Sequence, residues 1–107
     1  MAQIMDRLNR ELESFGRRAQ AALDEGKLQI ELLRLRRQQD TAAREVGLLV
    51  HRRERGAEVE QRRLDALLLR LDDLEADITR LDTEIAARRR ARTERDAAPE
   101  PPVAAHS

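Results

Sequence analysis

The chain lacks most of the residues that build a globular core or carry redox chemistry. It has no cysteine, tryptophan or tyrosine, and Phe15 is its one aromatic residue among 107. Without cysteine, disulfides and thiolate metal sites are excluded, and the redox compartment stays open. Large aromatic side chains dominate ordinary cores, so their near absence argues against a globular domain.

Long apolar runs and a net charge are also missing. No apolar run exceeds four residues, which is too short to span a bilayer. The N-terminal stretch "MAQIMDRLNRELESF" has acids inside its apolar pattern, so no secretory signal is expected. The 21 basic and 21 acidic residues cancel, leaving no overall field to attract nucleic acid or anionic lipid. We therefore expect a cytoplasmic protein, with peripheral membrane attachment as an alternative.

What the chain has is charge and helix-forming residues at coiled-coil spacing. Charged residues make up 39% of the sequence. In the stretch "LDALLLRLDDLEADITRLDTEI", Leu or Ile recurs in steps of three and four from Leu64 to Ile85. That spacing predicts a helix with one narrow apolar stripe, which needs another helix to cover it.

A second stripe, from Leu28 to Leu49, mirrors the first. Laid antiparallel, every residue of one stripe meets a residue of the other, with the two residue numbers always totalling 113. Antiparallel coiled coils have this layering. The predicted coiled-coil seam comprises Leu28, Leu32, Leu35, Gln39, Ala42, Val46, Leu49, Leu64, Leu67, Leu71, Leu74, Ile78, Leu81 and Ile85.

The mirror point between Gly56 and Ala57 permits two architectures. In one, Gly56 ends the first helix in a left-handed conformation and the chain folds back as a hairpin. In the other, one continuous helix pairs with a second copy in a domain-swapped dimer. The hairpin is favoured because closure over a short loop gives a high effective concentration.

Charges along the seam give further expectations. Opposite charges close its two ends, and edge pairs both attract and repel. The expected attractive pairs are Arg53–Glu60, Glu25–Arg88, Arg36–Asp82 and Glu45–Arg70, and the repulsive ones are Arg52–Arg63 and Glu31–Glu84. Gln39 opposite Leu74 is either a tolerated polar layer or a device that disfavours slipped registers.

The predicted fold is all-α: a long antiparallel two-helix coiled-coil hairpin with extensions at both ends. Residues 1–27 form an amphipathic N-terminal helix, residues 28–95 the hairpin with its turn near 55–58, and residues 96–107 a disordered tail that contains all three prolines. The apolar frame slips by a residue near "DEGK" (residues 24–27), so we expect a kink or a change of partner within a continuous helix.

The N-terminal helix has an apolar face with no matching stripe left in the chain. Its occupant is another copy of the protein, a different helical protein or a membrane surface; the remaining alternative is that this helix frays. We take this face as the candidate partner-binding face, formed by Ile4, Leu8, Leu12, Phe15 and Ala19.

Signals for chemistry are weak. The arginine run Arg88, Arg89, Arg90 and Arg92 could contact anions, although basic residues near a helix C-terminus also complement the helix dipole. His51 and His106, the only histidines, do not form a metal motif. Acid–base catalysis needs carboxylates with shifted pKa values, which require burial or close partners. The carboxylates here are expected on exposed helices without a pocket, so we expect no enzymatic activity, cofactor, metal or small-molecule substrate.

Residues 4–56, including the approach "EVGLLVHRRERG" to the turn, resemble the first helix and turn of small bacterial helical-hairpin proteins of unknown function. The resemblance in overall layout, a short amphipathic N-terminus followed by a long helical hairpin, covers about 95 residues. Proteins of that kind often continue into a C-terminal zinc ribbon, which is absent here because the chain has no cysteine. The resemblance implies a helical-hairpin interaction module and assigns no activity to particular positions.

These observations favour a structural or interaction protein that self-associates or scaffolds. One alternative is a peripheral membrane or envelope-associated module that uses the N-terminal helix. A second is a nucleic-acid-associated protein that uses the arginines of residues 88–95, which we consider unlikely because no aromatic side chains accompany them to stack on bases.

Overall fold

Two antiparallel helices account for the fold. The computed structural model describes residues 2–97, in which helix α1 runs over Ala2–Glu54 and helix α2 over Gln61–Ala97. The described part contains no strand. The predicted all-α hairpin is confirmed, and the chain measures 84 × 29 × 16 Å, as expected for one long helix with a shorter one laid along it.

Gly56 makes the turn that the sequence predicts. Its φ of +91° is in the left-handed region, which only glycine adopts freely. The Gly56 amide donates to the Arg53 carbonyl at 3.0 Å, and the Ala57 amide donates to the Arg52 carbonyl at 3.0 Å. This pair of hydrogen bonds is the Schellman motif, which satisfies the last carbonyls of α1 and reverses the chain.

The second helix begins later and ends later than the sequence pattern indicated. Residues 57–60 are non-helical, and the Glu60 carbonyl accepts the first amides of α2, from Arg63 at 3.1 Å and Leu64 at 3.3 Å. The turn thus spans residues 55–60 rather than 55–58. At the other end, Asp96 and Ala97 are the last residues of α2 rather than the start of a tail. Residues 98–107 lie outside the described part.

The seam residues lie between the two helices. Nine of them are buried: Leu32, Leu35, Ala42, Leu64, Leu67, Leu74, Ile78, Leu81 and Ile85. The other five, Leu28, Gln39, Val46, Leu49 and Leu71, are half-buried. Leu74 is the most enclosed, at 2% exposure, although its mirrored partner is Gln39. Six of the buried residues form one cluster from Leu32 to Ile85, against which Leu28 packs.

Polar contacts along the two edges of the seam agree with the antiparallel register of the apolar stripes, in which paired residue numbers total 113. On one side Glu45 binds Arg63 and Gln38 accepts from Arg70, and both pairs of numbers total 108. On the other side Arg36 and Asp82 pair at 3.3 Å, and their numbers total 118. The midpoint is 113, the value derived from the apolar stripes.

Several charged residues bind partners other than those expected from the sequence. Arg36–Asp82 forms as expected, but Glu45–Arg70 is wrong, because Arg63 reaches Glu45 and leaves Arg70 to Gln38. The expected repulsions are relieved in the same way: Arg63 of one pair is held by Glu45, while Glu31 and Glu84 of the other pair bind Arg34 and Arg88 within their own helices. A long arginine side chain reaches a residue about one turn away. The residue that lies next to an arginine in the antiparallel register is therefore not always the one that it binds.

Replacing Leu74 with alanine should lower the free energy of unfolding by about 2–4 kcal/mol, since it removes the most deeply buried side chain of the seam. Urea denaturation followed by circular dichroism would measure this. The neighbouring variant Asp73→Ala, at an exposed position, should stay within about 0.5 kcal/mol of wild type. Equal effects at the two positions would contradict a buried seam.

Replacing Gly56 with alanine should destabilise the hairpin by about 1–2 kcal/mol, because its positive φ places a Cβ against the backbone. No other atom lies within 4 Å of that Cβ, so the cost is conformational. Gly47→Ala, inside α1 with equally open surroundings, should instead stabilise by about 0.5–1 kcal/mol. Thermal unfolding of the two variants compares them directly.

Candidate partner-binding face of helix α1

The N-terminal part of α1 lies open to solvent. Residues 2–23 are exposed, apart from half-buried Ser14, over a length of about 33 Å. The five residues of the predicted face are all in this exposed part, and its large side chains are Ile4 (70% exposed), Leu8 (49%), Leu12 (61%) and Phe15 (72%). Large apolar side chains exposed in one row make this segment a candidate interaction surface.

The apolar row continues well beyond the predicted face. Steps of three and four lead from Ala19 through Leu23 and Gly26 to Ile30 and Leu33, where Leu23 is 61%, Ile30 70% and Leu33 51% exposed. We call the whole row the outer stripe; it comprises Ile4, Leu8, Leu12, Phe15, Ala19, Leu23, Gly26, Ile30 and Leu33. The next positions in this rhythm, Arg37 and Asp40, are polar, so the stripe ends at Leu33.

Leu23, Ile30 and Leu33 are not part of the face predicted from the sequence. The spacing that would include them is present, because the same steps pass through Gly26 without interruption. The predicted seam begins at Leu28, however, so apolar residues of this segment are equally compatible with the buried pattern. In the structure one helix carries both patterns, and they overlap between residues 28 and 33.

The outer stripe and the seam lie on opposite sides of α1. At about 100° per residue, their mean directions differ by about 180°. The continuous helix expected through residues 24–27 is confirmed, and the apolar frame there changes to the other side of the helix, a larger change than the one-residue slip read from the sequence. A change of side needs no kink, and it leaves the outer stripe facing away from α2.

Charges around the N-terminal segment are balanced. Residues 2–27 contain five bases and five acids, namely Arg7, Arg10, Arg17, Arg18 and Lys27 against Asp6, Glu11, Glu13, Asp24 and Glu25. Helices that lie in a membrane surface usually carry an excess of Lys and Arg on the polar face. The charge around this face therefore lacks the basic excess that is typical of such helices.

The arginine run is partly occupied by contacts within the chain. Glu25 of α1 accepts from Arg89 Nε at 3.0 Å and from Arg92, and its side chain is only 13% exposed. Arg88 pairs with Glu84 of its own helix at 3.4 Å instead of the expected Glu25. Three of the four predicted anion-contacting residues thus hold carboxylates of the hairpin; Arg90 is exposed.

The two arginines change the acidity of Glu25. The hydrogen bond from Arg89, together with the charge and hydrogen bond of Arg92, lowers the pKa of the Glu25 carboxyl below 4.5, against the opposing effect of desolvation. The ionised form is thus favoured in the folded hairpin, and the contact fixes the outer end of α2 to the middle of α1.

The surface of the described hairpin has open grooves along the seam. A shallow groove of about 380 Å³ lies beside Ala42, where the seam residue is small, and two of its arginines, Arg34 and Arg70, already bind Glu31 and Gln38. Within residues 2–97, no three His, Asp or Glu side chains converge as metal ligands would. His51 is exposed near the end of α1, and His106 lies outside the described part.

Neither described helix is long and apolar enough to cross a membrane. Comparison of the chain with protein-family models, with curated proteins and with solved structures found no match.

Replacing Glu25 with glutamine should lower the thermal midpoint at neutral pH, because it removes the carboxylate that both arginines bind. The lowered pKa means that this stabilisation is present above about pH 4.5 and is lost as the pH falls through the folded-state value. Melting curves from pH 7 to pH 3 should therefore show wild type and variant converging in acid.

Glu84→Gln is the matched control, since Glu84 pairs with Arg88 in the same helix and at the exposed surface. We expect a smaller loss of midpoint from this change. An equal loss at positions 25 and 84 would contradict the role of Glu25 as a link between the helices.

Proposed function

We propose that the chain is a non-enzymatic coiled-coil protein that self-associates or scaffolds through the outer stripe of α1. The observation that carries this proposal is the exposure of large apolar side chains along one side of α1, opposite the side that α2 covers. A continuous row of this kind is unfavourable in water unless another surface covers it.

The hairpin makes α1 a suitable platform for such contacts. A helix in a protein gains most of its stability from the packing of its apolar face against another element, and an isolated helix is only marginally stable. Here α2 supplies that packing on the seam side of residues 28–49, so the opposite side of the helix is free to bind. Part of the outer stripe, Ile30 and Leu33, lies on this supported segment, and the remainder projects beyond it.

Replacing Leu12 with glutamate should reduce self-association, because it places a charge in the middle of the outer stripe. Sedimentation velocity over a range of concentrations would measure this, with wild type expected as a dimer or larger species and the variant shifted towards monomer. Circular dichroism should show a hairpin of unchanged stability, since Leu12 is 61% exposed and lies outside the seam.

Ala21→Glu provides the matched control. It adds the same charge to the same exposed segment, but about 180° away from Leu12 around the helix. It should leave the sedimentation profile unchanged. A wild-type chain that sediments as a monomer at every concentration would overturn the proposal, and flotation of the chain with anionic liposomes in the same experiment would point to a membrane surface instead.

A further inference from the structure

The outer stripe has a two-part composition that indicates how it is covered. Large side chains occupy its N-terminal half, at Ile4, Leu8, Leu12 and Phe15. At the heptad positions that follow it has the small residues Ala19, Ala22 and Gly26 before Ile30, and Leu23 of the outer stripe lies at the edge of this row. A face with large residues at one end and small ones at the other is complementary to a reversed copy of itself.

We infer that two copies of this chain pair antiparallel through their outer stripes, about a two-fold axis at residue 17. The inference rests on the self-association proposed above and specifies its geometry. In the three central layers a large side chain of one copy then meets a small residue of the other: Phe15 meets Ala19, Leu12 meets Ala22 and Leu8 meets Gly26. Ile4 meets Ile30 at each end.

The spacing of these residues suits helix pairing. Residues 8, 12, 15, 19, 22 and 26 follow alternating steps of four and three, and the layers pair a with d positions as in antiparallel coiled coils. The axis makes the contact isologous, so every layer occurs twice. A parallel pair in the same register would place Phe15 against Phe15 and Gly26 against Gly26, which crowds one end and leaves the other empty.

Gly26 is compatible with this geometry. Glycine inside a helix is less stable than alanine, and within the hairpin a Cβ at Gly26 would meet no atom within 4 Å. The hairpin therefore gives no reason for a glycine at this position. A leucine from a second copy seated over residue 26 supplies one, because it needs the space that a side chain would fill.

The available area matches what a specific pair needs. Within the overlap, each copy exposes seven large apolar side chains by 49–72%, namely Ile4, Met5, Leu8, Leu12, Phe15, Leu23 and Ile30. With the small residues and flanking stems, two copies together offer on the order of 1,000 Å², about the minimum for a specific interface.

The rest of the molecule does not obstruct the contact. Helix α2 lies on the opposite side of α1, so the second copy approaches a free surface. The balanced charge of residues 2–27 adds no net repulsion between copies. Arg18 lies beside the axis, and its guanidinium group can turn into solvent at little cost.

Cysteine cross-linking tests the register, since the chain has no cysteine of its own. Full-length Leu8→Cys and Gly26→Cys variants are prepared separately, mixed, allowed to exchange and oxidised, then examined on non-reducing gels. We expect a mixed disulfide between positions 8 and 26. Each variant alone should remain uncross-linked, because its two copies of the cysteine would lie about 27 Å apart, far beyond disulfide reach.

The outcomes separate this inference from the proposed function. Cross-linking of Leu8→Cys alone would show a parallel pair and overturn the antiparallel register. A dimer in sedimentation without the mixed disulfide would overturn the register while leaving self-association in place. A monomer in sedimentation would overturn both.

Exchanging the large residue Phe15 and the small residue Ala19 gives a second test. The exchange should leave the hairpin unchanged, since both residues are exposed in the hairpin. Phe15→Ala and Ala19→Phe should each weaken the dimer about tenfold or more, the first by removing apolar contact and the second by crowding. The double variant restores one large and one small residue per layer, so its dissociation constant should return to within a few-fold of wild type. A double variant as weak as either single one would contradict the pairing of these positions.

Discussion

The structure depends on the packing of one narrow apolar seam between α1 and α2. The seam fixes the register of the hairpin, and the register decides which charged residues meet across its edges and where the turn must lie. Because nine seam side chains are buried and no other core exists in residues 2–97, stability is distributed along a line. Such a fold has little interior, which is consistent with the near absence of aromatic residues.

Burying one side of a long helix leaves its other side available. Helix α1 has 53 residues and α2 has 37, so α1 extends past the region where the seam is apolar. The second apolar pattern of α1 lies about 180° from the first. The hairpin and any further association thus use separate surfaces, and a change on the outer stripe can alter assembly without unfolding the seam.

Electrostatics refine this arrangement. Some of the arginines that the sequence suggests as contacts for external anions form ion pairs within the hairpin. Two of them, Arg89 and Arg92, bind Glu25. The edge pairs differ from those expected because a guanidinium group reaches about one turn along either helix, and the nearest available carboxylate binds it. Exposed pairs of this kind contribute little stability, but together they oppose sliding of the two helices.

The sequence by itself determined the helices, the seam and the antiparallel register, and it favoured Gly56 as the glycine of the turn. Each of these follows from local spacing: a period near 3.6 assigns residues to a face, and Gly56 is the residue free to adopt a positive φ where the mirror point falls. The sequence did not decide which apolar residues between 22 and 33 belong to which face, so Leu23, Ile30 and Leu33 were missed, and it gave Glu45 the wrong arginine. Those outcomes required the tertiary structure, because only the position of α2 shows which side of α1 is covered and which long side chains lie within reach of one another.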